Sequence, residues 1–245
     1  MIDFNVLKDF EWHRDKKGYR LAPHNSLQIS LEMQGRLNDE IVIVPKGAPS
    51  DSIEYRPFAG GGDLCAAFAS IKSPDELLRF VNHHGLLTTV RRPSSETERS
   101  RNLWTLSAES VSCDLDFAKM FRQLLRLKAE GNPRKLASYF ELKCALETAD
   151  IFGSGMASVE LAGDPKRGIR FKVCPPNFLG ALWYQLGLKL SSATLRMCPL
   201  CHRVFEVGGG TGLRADAKFC CHEHKVDFFN HNRSRLTRRS NESKK

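Results

Sequence analysis

Four of the eight cysteines of this chain fall within 24 residues, as Cys198, Cys201, Cys220 and Cys221, and His222 and His224 follow at once. Zinc takes four sulfur or nitrogen ligands in a tetrahedron, and two ligands separated by two or three residues reach one ion from a single tight turn. In MCPLCHRVF the first pair is Cys198 and Cys201, with Pro199 stiffening the turn. In KFCCHEHKVDFF the second pair is most simply Cys220 and His224. Cys221 with His224 has zinc spacing too, and His222 reaches inward if the next helix starts late, so both stand as alternates. Phe205 and Phe219 flank the two pairs as small core residues.

A disulfide is the competing use of such cysteines. The opening MIDFNVLKDFEWHRDKKGYR alternates charge with aromatics and has no continuous apolar core of an export signal. Paired spacing in a reducing compartment favours a metal. The expectation is one structural Zn2+ in a cytoplasmic protein. The longest apolar stretch, 178–190, includes Gln185 and Lys189 and falls short of the roughly 20 residues a bilayer needs, so no membrane is expected. Cys65, Cys113, Cys144 and Cys174 are scattered and read as small core residues.

Charge points to a partner. The net charge is +9, and residues 196–245 hold 11 Lys or Arg against 5 Asp or Glu, so the surplus gathers beside the metal ligands. Its densest part is RSRLTRRSNESKK, with Arg233, Arg235, Arg238, Arg239, Lys244 and Lys245 against Glu242 alone. A basic finger with a basic tail is the footprint of a polyphosphate partner, because each neutralised phosphate releases condensed counterions. A solvated tail is the plain alternative.

The elements that must position these residues follow from periodicity and punctuation. The 245 residues, 41% apolar and 27% charged, suffice for one ordinary core with a small appendage. Residues 1–58 read as extended, with Phe10, Trp12, Tyr19 and Leu21 around the turn signal DKKG and a β-branched run from Ile41 to Val44 before Pro45. A helix then has Ser73 as cap, Pro74 in first position, Glu76 completing a capping box, Leu77, Leu78, Phe80 and Val81 as apolar positions, and Gly85 as its stop. Gly60 to Gly62 and the polar stretch 91–102 read as loops.

A long helix is expected from Trp104 to Leu127, stopped by Gly131 to Pro133, and a second from Pro133 to Ala149 presenting Leu136, Phe140, Ala145 and Ala149. Val159 and Leu161, then Ile169, Phe171 and Val173, alternate around GDPKRG as a β-hairpin. The helix from Phe178 to Leu190 is apolar around most of its girth and belongs in a core.

The segment from Met197 to Arg235 resembles the C-terminal finger of bacterial proteins related to the CGNR zinc-finger family, in which a helical, sensor-like region precedes a treble-clef finger. The resemblance rests on Cys198 and Cys201, the loop Gly208 to Arg214, Asp216, Lys218, Phe219, Cys220, His224, Phe229, Asn232, Arg233 and Arg235. It covers about 40 residues; over 150–195 only the element order is similar. It implies a zinc knuckle, then a helix that begins with the last ligand and runs into Asn and Arg. This chain departs from it in three places. His224 stands where these relatives usually have Cys, Asn230 to Arg233 only approximate the Gly-Asn-Arg signature, and His202 takes the place of a glycine that often closes the knuckle.

The resulting expectation is an α+β chain: a small N-terminal sheet and helical domain with a β-hairpin over 1–192, a treble-clef-like zinc finger over 193–236 and a basic tail over 237–245. Val226 and Phe229 are expected to pack inward, and Lys225, Asn232, Arg233 and Arg235 to point outward. The expected partner is nucleic acid, duplex DNA, in a regulatory role, with Arg214 and Lys218 as backbone clamps and Arg238 and Arg239 as tail contacts. The N-terminal domain could take a small-molecule or protein ligand.

Two alternatives come from other classes. One is a protein-interaction or antitoxin-like adaptor with a structural zinc, docking through the Gly208 to Gly212 loop and the middle helices. The other is an HNH-type nuclease using His222, His231 and Asn232. There is no GxxxxGK[ST], GxSxG or HExxH pattern, so no other enzyme class is indicated.

Overall fold

The computed structural model describes residues 7–8, 10–23, 41–47, 51–88, 108–140, 158–164, 168–175, 177–208 and 211–231. Among these, small antiparallel sheets and six helices make a mixed α+β chain. Two compact units divide it, one formed by 1–122 with 146–187 and the other by 123–145 with 188–245.

In the first unit, β1 (Trp12–Asp15) and β2 (Tyr19–Pro23) flank the DKKG turn. Asp15 shapes that turn: its carboxylate accepts from the amides of Lys17 and Gly47, each at 2.7 Å. Gly18 is required there, with φ +76° and Asn82 Oδ1 only 2.3 Å from where a Cβ would stand. The two strands do not pair with each other. β1 pairs β4 (Ser52–Tyr55), whereas β2 pairs β3 (Ile41–Pro45), which in turn pairs the short β5 (Glu109–Ser110).

The helix α1 (Leu64–Ala69) precedes α2 (Pro74–His84). At the start of α2, Ser73 accepts from the Glu76 amide at 3.3 Å and Pro74 opens the first turn. Glu76 reaches back one residue further than the usual box, to the Lys72 amide at 2.7 Å. Gly85 ends the helix with φ +81°, where a Cβ would lie 2.3 Å from the His13 carbonyl oxygen.

The long helix α3 runs Val111–Ala129 and so starts later than expected. Glu109 and Ser110 are held in the sheet opposite Ile43 and Val42, and Ser110 Oγ accepts from the Cys113 amide at 3.2 Å, capping the helix. The stretch 104–107, with Trp104, lies outside the described residues, as does the loop 91–102. The first unit also holds the hairpin of β6 (Ser158–Asp164) and β7 (Gly168–Cys174), which sets Val159 opposite Val173 and Leu161 opposite Phe171.

Its core is aromatic. Phe178, which opens α5 (Phe178–Ser192), stacks on Trp12 at 6.1 Å and Phe80 at 6.1 Å, and Phe121 meets Phe68 at 5.3 Å and Trp183 at 4.6 Å. Phe68 and Phe121 are fully buried, and so are Phe178, Leu179, Leu182 and Leu186 of α5, as expected for a helix apolar on most sides. Cys65 is buried and Cys113 half-buried, neither of them in a disulfide. Gln185 ties the glycine loop down, accepting from the Cys65 amide at 2.7 Å and donating to the Gly62 carbonyl at 3.2 Å. No helix among the described residues is long and apolar enough to cross a membrane.

In the second unit, α4 (Pro133–Tyr139) is capped by Asn132, which accepts from the Lys135 amide at 3.0 Å. The expected inward stripe is not formed there: α4 buries no residue, Leu136 is half-buried and Phe140 exposed. Ala145 and Ala149 lie outside the described residues. The remainder is β8 (Thr194–Met197), antiparallel to β9 (Val204–Val207), and α6 over 222–231.

Candidate metal centre

The turn between β8 and β9 carries the first ligand pair. Arg196 pairs with Phe205 and Met197 with Val204, so the strand ends are clamped while the chain reverses between them. Within the turn the Cys198 amide donates to the Arg203 carbonyl and the His202 amide to the Cys198 carbonyl, both at 2.9 Å. Closing so small a loop puts His202 in the left-handed region, with φ +55°, the one non-glycine residue there among those described. The substitution of His for the expected knuckle glycine therefore falls on a position that needs glycine's freedom. Lys189 braces the hairpin through Glu206 at 2.6 Å.

The second pair comes from the turn into α6. Cys220 precedes the helix and His224 sits in its first turn. Cys198, Cys201, Cys220 and His224 present ligand atoms that all lie within 4.8 Å of one another. Cys201 Sγ is 3.7 Å from Cys220 Sγ, Cys198 Sγ is 3.8 Å from His224 Nδ1, and Cys220 Sγ is 2.9 Å from the same nitrogen. With metal–sulfur bonds of about 2.3 Å, the edge of a zinc tetrahedron is about 3.8 Å. The first two separations match that edge, so the donors fit one ion after a small opening at His224. Cys221 and His222, the alternates, stand outside the cluster: Cys221 is half-buried and His222 exposed.

The polypeptide prepares the sulfurs for a cation. Burial pushes the Cys198 thiol up, but hydrogen bonds from the backbone of Cys201, Cys220 and Leu200 outweigh it and bring the group below its ordinary value. Burial raises Cys220, as do its hydrogen bonds to the Cys201 and Cys198 side chains. The Cys198 thiolate forms readily and Cys220 then resists, which is the electrostatics of a site completed by a dication.

No family model, curated protein or solved structure matches this chain. The geometry of the site therefore carries the functional argument alone.

The phase of α6 differs from expectation. With His224 turned to the cluster, the residue one turn on is Phe228, which is half-buried and packs on Phe219 at 5.3 Å. Val226 and Phe229 are consequently exposed, at 42% and 56%. The signal was available in the i, i+4 relation between the ligand and Phe228. Phe205 and Phe219 are half-buried beside the site.

Of the expected nucleic-acid contacts, Arg214, Lys218 and Lys225 are all exposed, and Arg214 lies 3.5 Å from Asp216. Asn232, Arg233, Arg235, Arg238 and Arg239 lie outside the described residues. The glycine loop is tied by the Gly208 amide to the Leu213 carbonyl at 3.0 Å.

Proposed function

We propose that the segment 193–236 is a finger built on one structural Zn2+, held by Cys198, Cys201, Cys220 and His224, and that it binds nucleic acid, duplex DNA, in a regulatory role. The observation that carries the reading is the Cys3His cluster from which α6 departs at once, with exposed Lys225 on the helix and the basic stretch 233–239 following in sequence. When bound, the ion supplies folding free energy rather than chemistry; a module this small buries too little apolar surface to be secure without it. Three thiolates and a neutral imidazole leave the zinc site formally one negative charge, so the surrounding cations keep the finger positive. Asn232 suits an adenine edge, and Arg233 and Arg235 suit guanine or phosphate.

The nuclease alternative requires two metal-facing groups to converge. His222 and His231 lie on one helix, nine residues or about 13 Å apart along its axis. His231 Nδ1 lies 2.8 Å from the Asp227 carbonyl oxygen. We therefore take the chain as a binding protein rather than an enzyme.

The test is duplex binding as a function of salt, for the wild type and for the double variant Arg233→Ala with Arg235→Ala. Loss of two phosphate contacts lowers affinity and reduces the magnitude of the log–log salt slope by about 2. An unchanged affinity and slope would reject the assignment.

A further inference from the structure

Among the described residues Phe229 is the most exposed large apolar residue, ahead of Ile41, Val226, Phe140 and Met197. Its ring is nevertheless held. It meets Phe219 at 6.0 Å and Phe228 edge-on at 5.8 Å, so one side is packed while more than half of the side chain faces water.

Its neighbours on that side of the helix are a lysine, a histidine and a valine. His222, Val226 and Phe229 recur at intervals of four and three, and Lys225 lies four residues before Phe229, which puts all four on one side of α6. Each of them is exposed. The opposite side carries His224 and Phe228. Beyond the helix the sequence continues through Arg233 and Arg235 without an acidic residue until Glu242.

A pre-oriented aromatic ring beside a lysine, with arginines following in sequence, is an arrangement that takes a nucleobase, the ring stacking on the base and Lys225 meeting an adjoining phosphate. A protein groove fits less well. It would cover two apolar side chains one turn apart and bury Lys225 beside them, at the cost of desolvating its charge.

We propose that Phe229, with Val226 beside it, is a base-stacking wedge, so that the finger prefers a duplex with an unstacked base over an unbroken one. Wedges of this type insert where stacking is already weakened, because opening an intact step costs free energy. The inference rests on the nucleic-acid reading above and sharpens its substrate class.

The full chain with its metal is titrated by fluorescence anisotropy against a duplex and against the same duplex with a central unpaired bulge. The wild type binds the bulged DNA about tenfold more tightly, the effect of one stacked base. Phe229→Ala binds the two DNAs equally, and Phe229→Trp keeps the preference; zinc content verifies that each variant is folded. Equal affinity of the wild type for both DNAs, or a preference that survives Phe229→Ala, overturns the wedge. So does a change of oligomeric state in Phe229→Ala, which would assign the patch to a second copy of the chain. Failure of the wild type to bind either DNA overturns the nucleic-acid reading itself.

Discussion

The sulfurs of Cys201 and Cys220, nineteen residues apart in sequence, stand 3.7 Å from each other. That is far beyond the roughly 2.05 Å of a disulfide and close to the edge of a zinc tetrahedron. Two turns that share no backbone hydrogen-bond ladder are brought to the distance that one shared ion requires.

Cys198→Ser, Cys201→Ser, Cys220→Ser and His224→Ala each lower the zinc content of the purified protein, measured by elemental analysis. Cys221→Ser and His222→Ala keep about one zinc per chain, since neither belongs to the cluster. Chelation removes hydrogen-exchange protection over 194–231, because a structural zinc contributes on the order of 10 kcal/mol. Absence of metal from a preparation in which those residues stay protected would sink the metal-centre assignment.

His202 pays for its left-handed conformation, φ +55°. His202→Gly relieves the clash and makes the unfolded chain more flexible, for a net gain of about 0.5 kcal/mol, whereas His202→Val costs about 2 kcal/mol. Zinc-release midpoints against a competing chelator rank the three as Gly, His, Val. A valine variant as stable as the wild type would show that the knuckle tolerates another conformation.

In the first unit, the buried Glu109 carboxylate accepts from the Leu87 amide at 2.7 Å, from Thr88 Oγ1 at 2.8 Å and from the Thr88 amide. Glu109→Ala orphans two amides at once and lowers unfolding free energy by about 3 kcal/mol. Glu109→Gln keeps one acceptor oxygen and loses about half as much. Urea denaturation of the two variants measures both.

His84 packs against Phe80 and Phe178, with its Nδ1 buried and without a hydrogen-bond partner. Burial, then the charges of His83 and Arg14, lower it to about 4. A depressed histidine favours folding while neutral, so its contribution is complete above pH 6.5 and is lost as pH falls toward 4. The full shift corresponds to roughly 3 kcal/mol, and solvent screening of a half-buried ring leaves about 2 kcal/mol. His84→Phe flattens stability against pH over that window; an unaltered slope would place the proton uptake elsewhere.

Local chemistry was legible without coordinates. A cap, a proline at a helix start, a glycine stop and a ligand pair in a tight turn each depend on a few adjacent residues. Ser73, Pro74 and Gly85 therefore bound α2 as read, and Cys198, Cys201, Cys220 and His224 converge as their spacing implies. The hairpin over 158–174 follows for the same reason, since alternation around a turn sets its own register.

What depends on distant partners was not legible. Nothing within DKKG tells β1 to pair with β4 and β2 with β3, because that choice belongs to strands far along the chain. Capture of Glu109 and Ser110 by β3 moved the start of α3, and the turning of His224 toward the cysteine cluster set the phase of α6, with Phe228 inward and Phe229 outward. Residue types and short spacings determined which atoms could bind a metal; only packing across the chain decided which faces were left to meet a partner, because burial is a property of the neighbours a residue acquires and not of the residue itself.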